Sequence, residues 1–295
     1  MLQAPIGESP VEDFDAGVMD RSIGALIREV RKLTDEQVEQ ILTYQREHGV
    51  RFGEAAVALK LASGDDVLRA LAQQFHYPYE PGKGFGNPEL VVADSPFSDE
   101  AEAFRELRSQ LMMGVLGGEQ PRRALAVVSP DIGDGKTYLA ANLAVAFSQL
   151  GGRTLLVDAD MRTPRQQVVF GLQDAAVGFS GILSGRAETS VIRQVPGLTS
   201  LYVLPVGAIP PNPLELAQRT AFGLLMREFL SKFDYVIVDT PAAVHGADAR
   251  VVASKCGAAL VIGRQGRSRM DKLQALLSSL AKGPAKLAGV VMNEY

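Results

Sequence analysis

Six short apolar runs, separated by helical patterns, constrain the fold of this chain more than any other feature. Several of the runs are continuous stretches of Val, Ile and Leu and lack the apolar–polar alternation of a half-exposed strand. Continuous runs of this kind are typical of parallel strands that are covered on both faces. The runs are residues 125–129, 154–158, 201–205, 235–239, 259–263 and 289–293. We therefore predict an α/β domain with a doubly wound, mostly parallel sheet over residues 97–295.

A phosphate-binding stretch, SPDIGDGKT, stands between the first apolar run and a helical pattern. It ends like the GxxxxGK[ST] loop, although Pro130 occupies the place of the first Gly. Gly133 and Gly135 would let backbone N–H groups wrap around phosphate oxygens at the positive end of the following helix. Lys136 is expected to reach the β- and γ-phosphates, and the Thr137 hydroxyl to bind Mg²⁺. The residues predicted to contact a nucleotide are Gly133, Asp134, Gly135, Lys136, Thr137 and Tyr138.

Carboxylates follow two other apolar runs at the points where those strands should end. Asp158 and Asp160 come at the end of LLVDAD, and Asp239 ends YVIVD. The carboxyl ends of parallel strands face the same crevice as a phosphate-binding loop, so these side chains should gather there. Carboxylates in such a crevice can hold Mg²⁺ through its waters, or orient and deprotonate an attacking hydroxyl. We expect all three to be site residues rather than simple turn caps.

The composition excludes some classes of function. A net charge of −4 provides no basic field for nucleic-acid binding. The only cysteine, Cys256, is interpreted as a buried, inert thiol, and a chain without disulfides favours a reducing compartment. No signal peptide is visible, and no window approaches the roughly 20 apolar residues of a membrane helix. We therefore expect a cytoplasmic protein that reaches a membrane only through a partner.

The N-terminal part of the chain repeats itself. Residues 22–45 and 51–74 align over their whole length with a five-residue spacer, and both have helical apolar spacing. Thr34 is a plausible N-cap, with Gln37 as its return partner in a capping box. Each copy is too small to fold alone, so the two helix–turn–helix copies should bury their apolar faces on each other.

These features predict four segments along the chain. Residues 1–20 are acidic and aperiodic and are interpreted as a flexible leader, followed by a small, mainly helical domain over residues 21–79. Residues 80–96 are rich in Pro and Gly, which indicates a linker or a docking strap. The α/β domain occupies residues 97–295.

The motifs of this domain resemble those of the bacterial tyrosine kinases (BY-kinases) of the exopolysaccharide chain-length-determinant type. GDGKT, LLVDADMR and YVIVDTP are similar to the Walker A, Walker A′ and Walker B motifs of that family, and residues 170–185 and 203–217 resemble two further family segments. The helix at residues 97–111 resembles the family's ExxRxxR helix, which mediates ring-like self-association. The three matching positions are Glu102, Arg105 and Arg108. A solvated charge stripe is the alternative for these three residues.

The resemblance implies a P-loop NTPase fold of the MinD/ParA-like (SIMIBI) class and transfer of the ATP γ-phosphoryl group to tyrosine. It implies that Lys136 stabilises the phosphates, and the Mg²⁺ ligands it points to are Thr137, Asp158 and Asp239. Either Asp158 or Asp160 would activate the tyrosine hydroxyl, and both remain open. Arg162 matches the family's Walker A′ arginine and is expected near the nucleotide. Asp131 stands where MinD and ParA relatives carry a second P-loop lysine, which favours the kinases.

The same resemblance implies a partner, a transmembrane polysaccharide chain-length determinant of the Wzz-like type at the inner membrane. One departure concerns the acceptor: such kinases usually end in a tyrosine cluster, whereas this chain ends in the single Tyr295. A non-kinase ATP-binding or ATPase regulator of the export machinery is therefore the alternative function. The run Arg264–Arg269 is interpreted as a solvated loop, with a contact to nucleotide or to a neighbouring subunit as the alternative.

The N-terminal repeat resembles MshEN, the N-terminal domain of type II secretion and pilus ATPases. Some members of that family bind cyclic di-GMP through the Arg, the Gly and the backbone of each repeat. The corresponding positions here are Arg21, Gly24, Arg51 and Gly53. A later family Gly is replaced by Arg31 in the first copy and by Lys60 in the second. Cyclic di-GMP binding and a docking or structural role both remain open for this module.

Overall fold

The computed structural model describes residues 23–74, 87–118, 121–172 and 176–294. The chain divides into two compact units, residues 1–81 and 82–295. None of the helices in the described parts of the chain is long and apolar enough to cross a membrane.

Over residues 23–74, the first unit forms four helices that follow the sequence repeat. Thr34 caps the second helix, and the predicted capping box with Gln37 is present, with the Thr34 N–H donating to Gln37 Oε1 at 3.0 Å. Leu26, Ile27 and Ile41 are fully or almost fully buried where the two copies meet, as the repeat predicts. The helices are α1 (Ile23–Arg31), α2 (Asp35–His48), α3 (Phe52–Ala58) and α4 (Gly64–Gln74).

The second unit is built on a seven-stranded sheet, which confirms the predicted α/β fold. Its strand order is β3-β4-β2-β5-β1-β6-β7, and every pairing is parallel except that of β3 with β4. The six predicted runs all form strands, and the sequence missed β3, a three-residue edge strand with two exposed side chains and no apolar run. The strands are β1 (Ala124–Val128), β2 (Thr154–Asp158), β3 (Arg193–Val195), β4 (Leu198–Leu204), β5 (Tyr235–Asp239), β6 (Gly257–Arg264) and β7 (Lys286–Asn293).

Helices cover both faces of the sheet. One apolar core includes Phe179, Phe222 and Phe229, and the core on the other face includes Phe147 and Leu143. The helices of this unit are α5 (Val91–Asp94), α6 (Asp99–Met113), α7 (Lys136–Ser148), α8 (Gln166–Val169), α9 (Phe179–Leu183), α10 (Pro213–Gln218), α11 (Thr220–Lys232), α12 (Asp248–Cys256) and α13 (Met270–Ala281). The sheet thereby places β1, β2 and β5 side by side, which positions the site.

Residues 87–96 form a strap on the second unit. Leu90 and Val92 are fully buried in the core beside α7. Asn142 of α7 accepts a hydrogen bond from the Val92 N–H at 3.0 Å and donates one to the Glu89 carbonyl at 2.7 Å. The described part of residues 80–96 therefore packs its apolar side chains into the core of the second unit.

Candidate nucleotide-binding and active site

The loop between β1 and α7 has the backbone that phosphate binding requires. Gly133 and Gly135 have φ angles of 82° and 103°, a region that favours glycine, and α7 begins at Lys136 directly after them. The side chain of Asp134 is buried inside the loop, where its two oxygens accept from the Asp131 N–H at 2.8 Å and the Ser268 hydroxyl at 2.7 Å. The Asp134 side chain therefore stabilises the loop from within.

Lys136 is a buried cation beneath this loop, only 7% exposed. Its Nζ donates to the Ser129 hydroxyl at 3.0 Å and lies 3.5 Å from the Asp131 carbonyl. Burial lowers the pKa of Lys136, while the nearby carboxylates of Asp239 and Asp160 raise it. A bound phosphate anion would place a direct counter-charge next to this buried ammonium group.

Asp158 and Asp239 lie directly opposite each other at the ends of neighbouring strands β2 and β5. Asp158 is fully buried and accepts from the backbone N–H groups of Asp160 at 3.0 Å and Gln166 at 3.1 Å. Burial, followed by the charge of Asp239, raises the pKa of Asp158 well above its usual range. Two carboxylates this close resist simultaneous ionisation, so the pair favours a bound cation or a proton.

Asp239 carries the clearest signs of a missing partner. Burial raises its pKa to about 6, although hydrogen bonds from Gln166 and Thr137 and the charge of Lys136 lower it. Its Oδ2 accepts from Gln166 Nε2 at 2.9 Å, whereas Oδ1 is buried and has no hydrogen-bond partner. An orphaned carboxylate oxygen beside the Thr137 hydroxyl suits Mg²⁺, which prefers oxygen ligands. The residues present therefore fit the metal that the sequence predicts.

Asp160 and Arg162 shape the turn that follows β2. Both oxygens of Asp160 are occupied, because they accept from the Arg162 N–H and from the N–H and hydroxyl of Thr163 at 2.9–3.1 Å. The Arg162 guanidinium forms a two-pronged pair with Asp248, at 3.2 and 3.1 Å. Asp248 is the first residue of α12 and is almost fully buried. Arg162 was expected near the nucleotide, but its side chain here ties the β2 turn to α12.

Most of the Arg264–Arg269 run is an exposed turn, as the sequence favours, and two of its residues contact the phosphate-binding loop. Because β6 lies beside β1, the run emerges next to the phosphate-binding loop. Arg264 Nη1 lies 3.3 Å from the Gly133 carbonyl oxygen, and Ser268 holds Asp134 as described above. Lys272, in the first turn of α13, pairs with both oxygens of Asp131 at 2.7 and 3.0 Å. The position of the ParA-type lysine thus holds a carboxylate that is neutralised within the chain.

Tyr138 lies in the first turn of α7, at the edge of a groove of about 350 Å³ between α6 and β7. Its ring packs edge-on against Phe104, with 5.9 Å between ring centroids. Ile262 and Asn293 line the same groove, and Asn293 Nδ2 donates to the Asp134 carbonyl at 3.1 Å. Tyr138 therefore borders the phosphate-binding loop, as expected from its place in the sequence.

The residues of the ExxRxxR match lie on α6, away from the carboxylates. Glu102 is exposed and pairs with Arg105 at 2.7 Å, and Arg105 also donates to the Pro96 carbonyl. Arg108 Nη1 donates to the Ala146 carbonyl of α7 at 2.6 Å. Both arginines thus tie α6 to its own unit.

The N-terminal candidates lie in the first unit. A Cβ on Gly53 would meet Val67 Cγ1 at 2.7 Å, and one on Gly24 would meet the Phe52 ring at 3.6 Å, so helix packing accounts for the glycine at position 53. Arg51 is exposed, and its backbone N–H donates to Glu54 at the start of α3. Arg21 and Tyr295 lie outside the described residues.

The fold and the site together define a P-loop nucleotide-binding protein. Residues 125–295 match the family model described as the CobQ/CobB/MinD/ParA nucleotide binding domain. Tyrosine-protein kinase Wzc of Salmonella typhimurium is 31% identical over 211 residues, which are 72% of this chain and 29% of Wzc. Tyrosine-protein kinase YwqD of Bacillus subtilis is 30% identical over 204 residues, which are 69% of this chain and 85% of YwqD.

A solved structure agrees with these relatives. The kinase domain of Escherichia coli tyrosine kinase ETK superposes with a TM-score of 0.65 at 29% identity, over 70% of this chain and 79% of that one. The chain therefore belongs to the bacterial tyrosine-protein kinases within the CobQ/CobB/MinD/ParA family. The resemblance to bacterial tyrosine kinases that the motifs of residues 97–293 indicated is confirmed at this level.

Proposed function

We propose that this chain transfers the γ-phosphoryl group of ATP to tyrosine in a Mg²⁺-dependent reaction. The observation that carries the proposal is that the buried Lys136 ammonium lies near the Asp239 carboxylate, which stands opposite Asp158 on the neighbouring strand. Catalysis of phosphoryl transfer depends mainly on positioning and on electrostatic stabilisation, and these groups supply both.

Each of these residues has a distinct role in the proposed reaction. Thr137 and Asp239 would hold Mg²⁺, which when bound neutralises charge on the β- and γ-phosphates. Lys136 stabilises the same oxygens as the bond between the γ-phosphorus and the bridging oxygen breaks and ADP leaves. Asp158 takes the proton of the tyrosine hydroxyl as the oxygen–phosphorus bond forms. Its raised pKa suits a general base. Asp160 is the alternative base, because hydrogen bonds of the same turn occupy both oxygens of each carboxylate and do not separate the two.

The alternative function is an ATP-binding or ATPase regulator that phosphorylates nothing. Incubation of the purified chain with γ-labelled ATP and Mg²⁺, with the cytoplasmic segment of a chain-length determinant added, separates the two. We expect label on tyrosine, released by acid hydrolysis as phosphotyrosine and absent when EDTA replaces Mg²⁺. Release of labelled phosphate with no phosphotyrosine would support the regulator.

The biological setting that we infer is control of exopolysaccharide chain length, polymerisation or export, with a Wzz-like transmembrane chain-length determinant as partner. Support comes from the sequence resemblance and from the tyrosine-protein kinases that match this chain. In this proposal the kinase is cytoplasmic and reaches the inner membrane through that partner. Co-purification with the partner's cytoplasmic segment tests the association, and a mixture that elutes as two separate species would refute it.

We also propose self-association through the α6 surface that carries Glu102, Arg105 and Arg108. The exposed Glu102 carboxylate and the half-buried arginines give this surface both charges. Sedimentation velocity of the chain with Mg·ATP tests this idea. A species larger than the monomer that Glu102→Ala dissociates would support it, and a monomer at all concentrations would contradict it.

For the first unit we infer an MshEN-like docking or structural module. Lys60 has a φ of 56°, a left-handed conformation at the place where that family carries a glycine, which supports the resemblance. Binding of cyclic di-GMP is the alternative role for this unit. The candidate binding residues in the described part of the chain are Gly24, Arg51 and Gly53. Calorimetric titration with cyclic di-GMP should show no binding; binding that Arg51→Ala abolishes would instead assign this unit a nucleotide-sensing role.

A further inference from the structure

Gln166 links three residues of the candidate site, although no motif points to it. It is the first residue of α8 and is fully buried. Its backbone N–H donates to Asp158 Oδ2 at 3.1 Å, and its Nε2 donates to Asp239 Oδ2 at 2.9 Å and to the Thr137 carbonyl at 3.2 Å. Through its backbone and its side chain together, Gln166 therefore joins the ends of β2 and β5 to the first turn of α7.

The orientation of the Gln166 amide follows from its partners. The Thr137 carbonyl oxygen is an acceptor only, and an ionised Asp239 carboxylate is one as well. Exchanging the amide nitrogen and oxygen would place Oε1 against these two acceptors, which is repulsive. The arrangement with Nε2 towards Asp239 and Thr137 is thus the one that satisfies the site.

Gln166 and Asp239 are joined by a hydrogen bond, and with the amide in this orientation each of them keeps one buried acceptor oxygen. Gln166 Oε1 and Asp239 Oδ1 are both buried, and neither has a hydrogen-bond partner. Buried polar atoms are nearly always satisfied, so an orphaned pair in a candidate site indicates a donor that comes from outside the chain. A water molecule bound to Mg²⁺ is such a donor, since Mg²⁺ keeps several of its waters when it binds with a nucleotide.

We propose that Gln166 is a positioning residue for the metal. Its Nε2 fixes the carboxylate of Asp239 and the backbone of Thr137, and its Oε1 accepts a hydrogen bond from a water of the Mg²⁺ shell. The proposal rests on the Mg·ATP site proposed above and adds the residue that orients its ligands. Groups that orient metal ligands in this way typically change metal affinity by about 10–100-fold when they are removed.

The neighbouring residue provides a matched control. Gln167 has the same side chain and also carries a buried Oε1 without a partner, but its Nε2 donates to the Pro164 carbonyl at 3.2 Å. It touches none of the site carboxylates through any hydrogen bond found in the described residues. A change that matters at Gln166 and not at Gln167 therefore reports the contact with Asp239 and Thr137 rather than the loss of an amide.

The test is calorimetric titration of ADP into the intact chain, with Mg²⁺ and with EDTA. The ratio of the two affinities measures how strongly the metal supports nucleotide binding. Gln166→Leu should reduce that ratio by about tenfold or more and leave the affinity in EDTA within about twofold of the unsubstituted protein, and Gln167→Leu should retain the full ratio. A full ratio in Gln166→Leu, or an equal loss in Gln167→Leu, would overturn the proposal.

A second variant guards against a folding defect. Gln166→Asn keeps an amide but withdraws it by one methylene, and it should show the same reduced ratio at an unchanged melting temperature. An affinity that falls equally with and without Mg²⁺ in both variants would show a purely structural role and refute the proposal. If the unsubstituted chain binds ADP more tightly with Mg²⁺ but forms no phosphotyrosine, the kinase proposal fails. The ratio of the two ADP affinities in the variants still tests the role of Gln166 in that case.

Discussion

Lys136→Ala is expected to lower the affinity for Mg·ATP by roughly a hundredfold or more, because it removes the one buried ammonium group of the phosphate-binding loop. Calorimetric titration with a non-hydrolysable ATP analogue measures this loss, and phosphotyrosine should disappear with it. The variant should remain folded. Burial lowers the pKa of Lys136, which means that the folded chain disfavours its charge, and removing that charge relieves the cost.

Lys282→Ala is the matched control for this prediction. Lys282 is an exposed lysine at the end of α13, so its removal should change neither nucleotide affinity nor phosphotyrosine. If Lys136→Ala binds the analogue as tightly as the unsubstituted chain does, the phosphate site has been placed wrongly.

Asp239→Asn should make the nucleotide-free protein more stable while abolishing phosphotransfer. The pKa of Asp239 is raised from 3.8 to about 6 in the folded chain, so its ionised form is disfavoured there. At pH 7–8 the neutral asparagine should add about 3 kcal/mol to the free energy of unfolding. For a unit of this size that corresponds to roughly 6–12 °C in melting temperature.

The sign of this effect sets its pH dependence. Below pH 3.8 the carboxyl is protonated in both the folded and the unfolded chain, and the raised pKa costs nothing. The cost grows as the pH rises and is complete above about pH 6. The melting temperatures of Asp239→Asn and of the unsubstituted chain should therefore converge near pH 4. Their difference should grow between pH 4 and pH 6 and reach its full size above about pH 6.

An exposed carboxylate of the same unit serves as control. Asp99 lies in the first turn of α6, where Asp99→Asn removes a charge without relieving any burial, so it should not stabilise the protein. A gain in stability from Asp239→Asn that is the same at every pH, or no gain at all, would refute this account. It would show that burial does not destabilise the ionised Asp239 carboxylate in the protein without metal and nucleotide.

The fold follows from the sequence to a large extent, because buried parallel strands leave continuous apolar runs. All six runs form strands of the sheet. The missed strand, β3, has three residues and lies at the edge, where only Val195 enters the core. β3 forms because it pairs with β4, and its own three residues do not indicate a strand.

The candidate site was predicted less completely, and the omissions share one cause. Strand ends and a glycine-rich loop mark Lys136, Asp158 and Asp239, because these features are local in sequence. Gln166 contacts Asp239 from 73 positions away, and Ser268 contacts Asp134 from 134 positions away. Such contacts depend on strand order: β1 lies between β5 and β6, which brings the Ser268 loop to the phosphate-binding loop.

The decisive measurement for a tyrosine kinase is mapping of phosphorylated tyrosines by tandem mass spectrometry. The intact chain, with the partner's cytoplasmic segment, is incubated with Mg·ATP, and Lys136→Ala is treated in parallel. We predict at least one phosphotyrosine, on this chain or on the partner, that is present with the unsubstituted protein and absent with Lys136→Ala. Consumption of ATP without a phosphorylated tyrosine on either chain would contradict the assignment.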